Sequence, residues 1–356
     1  MEPDKAEETT RLHEETNGPF AKDIIRVTSY HRHDYDLAVI RTDPKIHDPI
    51  RDVLTQTTNI IILDSSLGSL DVFPLEIVYE ICLYLDIQSL FRFHRVNRRA
   101  RQLASASRYY KAVVTHAVEA VYITLRTGIA SWYTISDLYA VLCIKNCESC
   151  DAFGGFIFLP LFMRCCFTCI ADEALPYVLP ASNVRPYLKR RAGPISRLVP
   201  TVKSLPGFYS LEETQRKRRF ELILENSIST IFPSAEVEKS PGKVSRDTEL
   251  QPYMVTTALP YLDNESDVIE KGVSCSGCQI ALEKDLWSSR VKSNVCDKRD
   301  RVYSHEGFME HFKSCQEARK LWDLSEGGTI EPDVPQFVKK GGSAKKRDVV
   351  MSFRGK

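Results

Sequence analysis

The chain lacks a surplus of charge of either sign: forty-eight Lys and Arg stand against forty-seven Asp and Glu, a net of +1 over 356 residues. That balance removes any global electrostatic pull toward nucleic acid or an anionic membrane, so either partner would need a local basic patch. A long hydrophobic run is also missing. The longest apolar stretch, FIFLPLFM from Phe156 to Met163, falls far short of the roughly 18 residues that suggest a membrane span. The opening MEPDKAEETT has neither the basic start nor the apolar core of a secretory signal, which points to the cytoplasm or nucleus. There is no glycine-rich phosphate loop, no nucleophile elbow and no H-E-x-x-H, so the common nucleotide-hydrolysing, esterase and zinc-protease routes have no foothold. Nor is there a repeat of about 20 to 50 residues of the kind that builds propellers or horseshoes.

What is present is globular composition, 43% hydrophobic and 27% charged, and clustered cysteine. Five of the eleven cysteines fall within CESCDAFGGFIFLPLFMRCCFTC, residues 147 to 169. In a reducing compartment such clusters are metal ligands rather than disulfides. Cys147 and Cys150, then Cys166 and Cys169, make C-x2-C-x15-C-x2-C, inside the spacing range of a zinc site. Each C-x2-C turn aims two sulfurs at one point about 2.3 Å away, and a tetrahedral ion needs two such turns face to face. Four thiolates leave no open position, so the site reads as structural. Gly154-Gly155 lets the chain leave the first turn, and Phe156 to Leu159 supplies an apolar strand to cover the ion. Cys165 is the alternative to Cys166.

A second set begins at Cys275 and Cys278 and closes with HEGFMEHFKSC, in which His311 and Cys315 stand four apart on one helical face. Cys275, Cys278, His311 and Cys315 form a Cys3His set, with Cys296 and His305 as substitutes. Two structural zinc ions per chain are therefore expected. The pair His31 and His33 lacks a second ligand cluster and is discarded as a site, and Cys82 and Cys143 read as small apolar residues on helices.

Along the chain, residues 1 to 68 read as a disordered acidic arm. From residue 69 the pattern turns helical. Pro74 suits a helix start, Ile77, Ile81 and Leu85 recur at four-residue spacing with Val78 beside them, and Asp86 can cap a second helix carrying Leu90, Phe91, Phe93 and Val96 before the basic NRRAR. A helical hairpin this small buries little surface, and its apolar faces invite a partner. Residues 112 to 146 read as helix and the proline-rich stretch 176 to 210 as extended connections, with Pro206-Gly207 suited to a type II turn. Ser210 and Glu213 form a capping box ahead of Leu211, Phe220, Ile223 and Leu224, which predicts a helix. Its basic cluster Arg216 to Arg219 reads as a solvated face. Residues 234 to 251 read as a charged surface loop. Residues 336 to 356 carry seven Lys or Arg against one Asp, a flexible basic tail from 326 onward that would serve nuclear import or solubility equally well.

Residues 69 to 114 resemble an F-box: Phe73-Pro74-Leu75-Glu76-Ile77, then Ile81, Leu85 and Leu90, then Val96-Asn97-Arg98, with Phe73 where Leu is usual. The following region, 115 to 325, resembles the cysteine-rich part of many fungal F-box proteins in its C-x2-C, Gly-Gly-Phe and Arg-Cys-Cys-x2-Cys run, its Leu-Pro-Gly-Phe-Tyr-Ser at 205 to 210 and its Phe-x2-His-x3-Cys at 308 to 315. The resemblance implies a non-catalytic substrate-recognition subunit. Leu70, Phe73, Pro74, Leu75, Ile77, Val78 and Leu90 would dock on the Skp-type adaptor of a cullin-RING ubiquitin ligase, and the remainder would hold an unnamed target protein. The expected architecture is a mainly helical chain: a helical F-box, an irregular α+β region organised by two zinc ions, and disordered ends. The competing reading is a zinc-stabilised nucleic-acid or transcription protein using Arg216 to Arg219, Lys189-Arg190-Arg191 and the basic tail, against which the near-zero net charge argues.

Overall fold

A computed structural model of the protein describes residues 18, 20–43, 66–184, 194–227, 249–287 and 293–342. The expected loop over 234–251 falls mostly outside these residues, as do Lys189-Arg190-Arg191 and the tail beyond Gly342. The chain divides into two compact units, one of residues 36–269 and one joining Met1–Tyr35 to Glu270–Lys356. Among the described residues no helix is long and apolar enough to cross a membrane.

The chain enters through α1 (Ala21–Thr28) and β1 (Ser29–Tyr30), and a short helix, His33–Ala38, leads onward. The larger unit then builds a run of capped helices: α2 (Leu75–Tyr84), α3 (Ile87–His94), α4 (Arg98–Ala106), α5 (Arg108–His116), α6 (Val118–Thr127) and α7 (Ile135–Leu142). Several boundaries have a local cause. Pro74 stands immediately before α2 in extended backbone, Asp86 Oδ1 accepts from the Ser89 amide at 2.9 Å, and Asn97 Oδ1 accepts from the Ala100 amide at 2.8 Å. Asn97 thus starts a third helix where the sequence had suggested a basic exit. Gly128, at φ +81°, ends α6 in the left-handed conformation that glycine adopts without strain, and Thr134 with Asp137 forms a capping box on α7. Val78 and Cys82 of α2, Ile87, Leu90 and Phe91 of α3, Ala100 and Ala104 of α4 and Tyr110 and Val113 of α5 are buried together with the α7 residues Ile135 and Leu138.

Beyond the helices, β2 (Phe156–Phe158) is the middle strand of a sheet, flanked by β3 (Met163–Cys165) and β9 (Thr256–Ala258), both antiparallel. The one-turn helix α8 (Phe167–Ala171) follows β3. A second sheet orders β4 (Val178–Pro180), β8 (Glu221–Leu224) and β5 (Thr201–Lys203), with Ile223 opposite Leu179 on one side and Thr201 on the other. Between them β6 (Gly207–Tyr209) and β7 (Thr214–Arg216) make a hairpin. This overturns the helix expected from Ser210. Ser210 and Glu213 are the two ends of the hairpin loop, at φ +61° and +56°, and the apolar run Leu222 to Leu224 is buried at every position because both neighbours are strands. Tertiary pairing overrides helix propensity here. Gly207 opens a strand, and its φ is not positive, so the type II turn expected at Pro206-Gly207 does not form.

The other unit contains β10 (Ser274–Cys275), α9 (Ser276–Trp287), α10 (Ser293–Asp300), α11 (His305–Ser314), α12 (Gln316–Leu324) and α13 (Gln336–Lys339). β1 pairs antiparallel with β10, Ser29 against Cys275 and Tyr30 against Ser274. Ile24 and Val27 of α1 enter one cluster with Phe308, Met309, Phe312, Ala318 and Trp322. Arg32 is buried, holding Asp34 at 2.7 and 2.8 Å and Asp300 at 2.9 Å, with Tyr35 under its guanidinium at 3.8 Å. At the far end Val338 is buried and Phe337 meets the edge of Tyr30. The expected disordered arm is therefore corrected for residues 20–43, and the flexible tail for 326–342. Ile24, Val27 and Tyr30 find partners such as Phe308, Phe312 and Phe337 nearly three hundred or more positions away, which no local pattern reveals.

Candidate metal centres and docking face

The first centre lies in the larger unit, where α7 gives way to the sheet. Cys147 and Cys150 sit on a turn closed by Cys147 N–H to the Ala152 carbonyl at 2.7 Å and Asp151 N–H to the Cys147 carbonyl at 2.9 Å. Asp151 takes φ +60° to complete it. Glu148 ties this turn to β3: its carboxylate accepts from the Arg164 amide at 2.7 Å, and its own amide donates to the Arg164 carbonyl at 3.0 Å. Cys166 leads into α8, and its Sγ accepts from the Cys169 amide at 3.4 Å. The four ligand atoms of Cys147, Cys150, Cys166 and Cys169 all lie within 4.8 Å of one another. Cys147 and Cys169 sulfurs are 3.7 Å apart, and those of Cys150 and Cys166 are 3.5 Å apart. A disulfide needs about 2.05 Å, whereas a tetrahedral ion with metal–sulfur bonds of about 2.3 Å sets its sulfurs about 3.8 Å apart. The donor set fits a closed four-sulfur metal site.

Cys165 is excluded from this group. It ends β3 opposite Phe156 with its side chain wholly buried, and burial pushes its thiol well above the usual range. Cys147 is shifted the other way, to about 4, by the hydrogen bond from Cys166 and by backbone amides, while burial pushes Cys169 up to about 12. Packed thiols cannot all ionise alone, so a dication displacing their protons would relieve the conflict. Arg164 is a support the sequence reading missed. Fully buried, it donates Nε–H to the Gly154 carbonyl at 2.6 Å and Nη1–H to the carbonyls of Pro260 and Val141 at 2.9 and 3.3 Å. A Cβ on Gly154 would come within 2.7 Å of the Arg164 side chain.

The second centre is held by three elements of the other unit. Cys275 ends β10, Cys278 lies in the first turn of α9, His311 is on α11, and Cys315 sits between α11 and α12. Their ligand atoms also lie within 4.8 Å of one another. Cys275 and Cys315 sulfurs are 3.7 Å apart, and Cys278 Sγ is 3.3 Å from His311 Nε2. His311 Nδ1 is held by the Tyr303 hydroxyl at 3.3 Å, with the two rings stacked at 4.7 Å, so Nε2 is the nitrogen turned to the sulfurs. Hydrogen bonds from Cys275 and Cys278 hold the Cys315 thiol far below its usual range. Cys296 and His305 stand outside; His305 instead faces Glu270, with its amide 2.9 Å from a carboxylate oxygen.

The third feature is a bare apolar face on α2 and the segment before it. Phe73, Leu75 and Ile77 are 49%, 49% and 46% exposed, joined by Pro74 and the half-buried Leu70. Val72, Ile81 and Tyr84, which the sequence reading did not name as docking residues, are exposed beside them. Val78 and Leu90, each 1% exposed, are not available: they hold α2 and α3 to the interior. A groove of about 390 Å³ lined by Leu75, Glu76, Tyr79, Glu80 and Leu103 adjoins this face.

These parts make a small helical domain with exposed apolar residues and two clusters that could hold a metal ion. The sequence model of the F-box domain matches residues 70–112, and the chain carries an F-box domain there. F-box domains bind Skp-type adaptors of cullin-RING ligases. No curated protein and no solved structure matches the chain.

Proposed function

We propose that the chain is a non-catalytic substrate-recognition subunit of a Skp–cullin–F-box ubiquitin ligase. One observation carries the reading: the F-box leaves Phe73, Leu75, Ile77 and Ile81 outside its own core, exposed apolar surface of the kind that soluble chains cover with a partner. Docking there would hold a target close to the ubiquitin-charged enzyme, raising its effective concentration with no chemistry by this chain. In this reading the two clusters bind zinc in a reducing compartment, cytoplasm or nucleus. Closed thiolate sets supply folding free energy and no catalytic position. The region that carries them is left to recognise the target protein.

The test is co-expression with a Skp-type adaptor followed by sizing chromatography, for the wild type and for Ile77→Asp combined with Pro74→Ala. Truncating central apolar anchors of an interface costs about 2 kcal/mol or more, on the order of a thirtyfold loss of affinity, so co-elution is expected to vanish while zinc content stays unchanged. A folded wild type that fails to co-elute would reject the ligase reading and put nucleic acid next in line.

A further inference from the structure

The F-box is divided electrically along its length. Residues 69–86 hold two Asp and two Glu and no Lys or Arg, whereas residues 87–118 hold six Arg and one Lys and no Asp or Glu. Three of these cations crowd one corner. Arg92 is in the last turn of α3, Arg95 follows the helix, and Arg98 opens α4; all three are exposed around Val96, itself 68% exposed. Among the described residues none of the three meets a carboxylate, although their neighbour Arg99 reaches Asp71 at 3.5 Å.

The helix dipole accounts for Arg92 and Arg95, which stand at the carboxy-terminal end of α3, but not for Arg98. The start of a helix carries partial positive charge and favours acids, so cations there lower helix stability. Yet the first turn of α4 holds Arg98 and Arg99 with no acidic residue, and Arg108 opens α5 in the same way. Arg98 is thus left exposed at a helix start, with no carboxylate partner among the described residues. Arginines around an exposed apolar residue, without lysine, have the composition of a protein interface.

The corner is also continuous with the docking face. Asn97 Nδ2 donates to the Ser66 carbonyl at 2.8 Å, and the Arg99–Asp71 pair fixes α4 to the turn Gly68–Val72 that carries Leu70 and Val72. We infer that the corner formed by Arg92, Arg95 and Arg98 receives an acidic surface of the same adaptor protein that covers the apolar face. The arginines steer the encounter, and the apolar face holds the complex once formed. This inference rests on the F-box reading above.

The test uses the full chain and purified Skp-type adaptor, with association and dissociation rates measured at about 50 mM and about 500 mM salt, where the screening length falls several-fold. The variant Arg92→Gln/Arg95→Gln/Arg98→Gln is expected to associate about tenfold more slowly at low salt. The difference should close at high salt, with dissociation changed by less than about twofold. Ile77→Asp should show the opposite division, its defect lying in dissociation. A merely structural role for the arginines would lower the melting temperature by several degrees, whereas the small dipole effects of losing Arg92 and Arg95 at a helix end and Arg98 at a helix start oppose each other and predict little change. Wild-type association that ignores salt, or a triple variant with wild-type rates, would overturn this inference and leave the ligase reading intact. Failure of the wild type to bind the adaptor at all would overturn both. Binding to mixed-sequence DNA or RNA that falls steeply with salt and disappears in the triple variant would reassign the corner to nucleic acid.

Discussion

Cys165 and Cys166 are adjacent, both buried, and chemically identical, so exchanging each for alanine isolates geometry from composition. Cys166 Sγ lies 3.5 Å from Cys150 Sγ and accepts the Cys169 amide. Its loss leaves three sulfurs and breaks the turn that aims Cys169. Structural zinc contributes about 10–16 kcal/mol of apparent binding free energy to small zinc-dependent folds at neutral pH, which is comparable with the whole stability of a domain, about 5–15 kcal/mol. Cys166→Ala should therefore lower zinc from two ions per chain to one by elemental analysis and unfold the sheet around β2. Cys165 belongs to no ligand group. Cys165→Ala removes a single sulfur from a packed interior, a change of about 1 kcal/mol, and should keep both ions with a melting temperature lowered by only a few degrees. The two proteins would be purified without chelator and compared by metal content and by thermal unfolding with and without chelator. Two ions retained in Cys166→Ala, or one lost in Cys165→Ala, would refute the assignment. A wild type that is folded and metal-free would refute the scheme of metal-held folding altogether.

At the second centre, Gly277 stands between the ligands Cys275 and Cys278, and a Cβ there would lie 2.3 Å from the Ala318 amide nitrogen and 2.8 Å from its Cα. Because the obstacle is backbone, Gly277→Ala should force α9 from α12 and lose one of the two ions while adaptor binding by the F-box persists, read by elemental analysis and co-elution; retention of both ions would contradict it. His94 tests the F-box interior. It is buried, stacked on Tyr110 at 5.7 Å, and its pKa is lowered from 6.5 to about 4 by burial and by the charge of Arg101. The folded state disfavours the proton, so this contribution to stability is complete above pH 6.5 and falls as the pH drops toward 4, by about 2 kcal/mol between pH 6.5 and about 5. His94→Phe keeps the stack and should flatten denaturant-measured stability over that window relative to the wild type; parallel curves for the two proteins would show that His94 carries no such penalty.

The two candidate ligand sets were legible because metal chemistry would fix their spacing. Two C-x2-C turns around one ion, or His311 and Cys315 four apart on a helix, leave a mark in the sequence that does not depend on the rest of the fold. The choice of Cys166 over Cys165 followed from that spacing, and it is the Cys166 sulfur that lies with the other three. What the sequence left hidden has physical reasons of two kinds. Distance is one: α1 carries only Ile24 and Val27 as its buried aliphatics, and its cluster is completed by Phe308 and Phe312, so it resembled an acidic arm. Ambiguity of period is the other. Leu222 to Leu224 satisfies a helix as readily as a central strand, and only β4 and β5 on either side decide it.

The docking face shows the same ambiguity working in the opposite direction. α2 carries Leu75, Ile77, Val78, Ile81 and Cys82 around much of its circumference, with Glu76 and Glu80 on the remaining side, so its sequence tells that more than one side will be covered but not which one is covered by the protein itself. The structure buries Val78 and Cys82 and leaves Ile77 and Ile81 outside. A helix of ten residues with two apolar faces has one more than a monomer uses. The excess is what an adaptor-binding module would need: the inner face makes the module fold, and the outer face is left for a partner to cover.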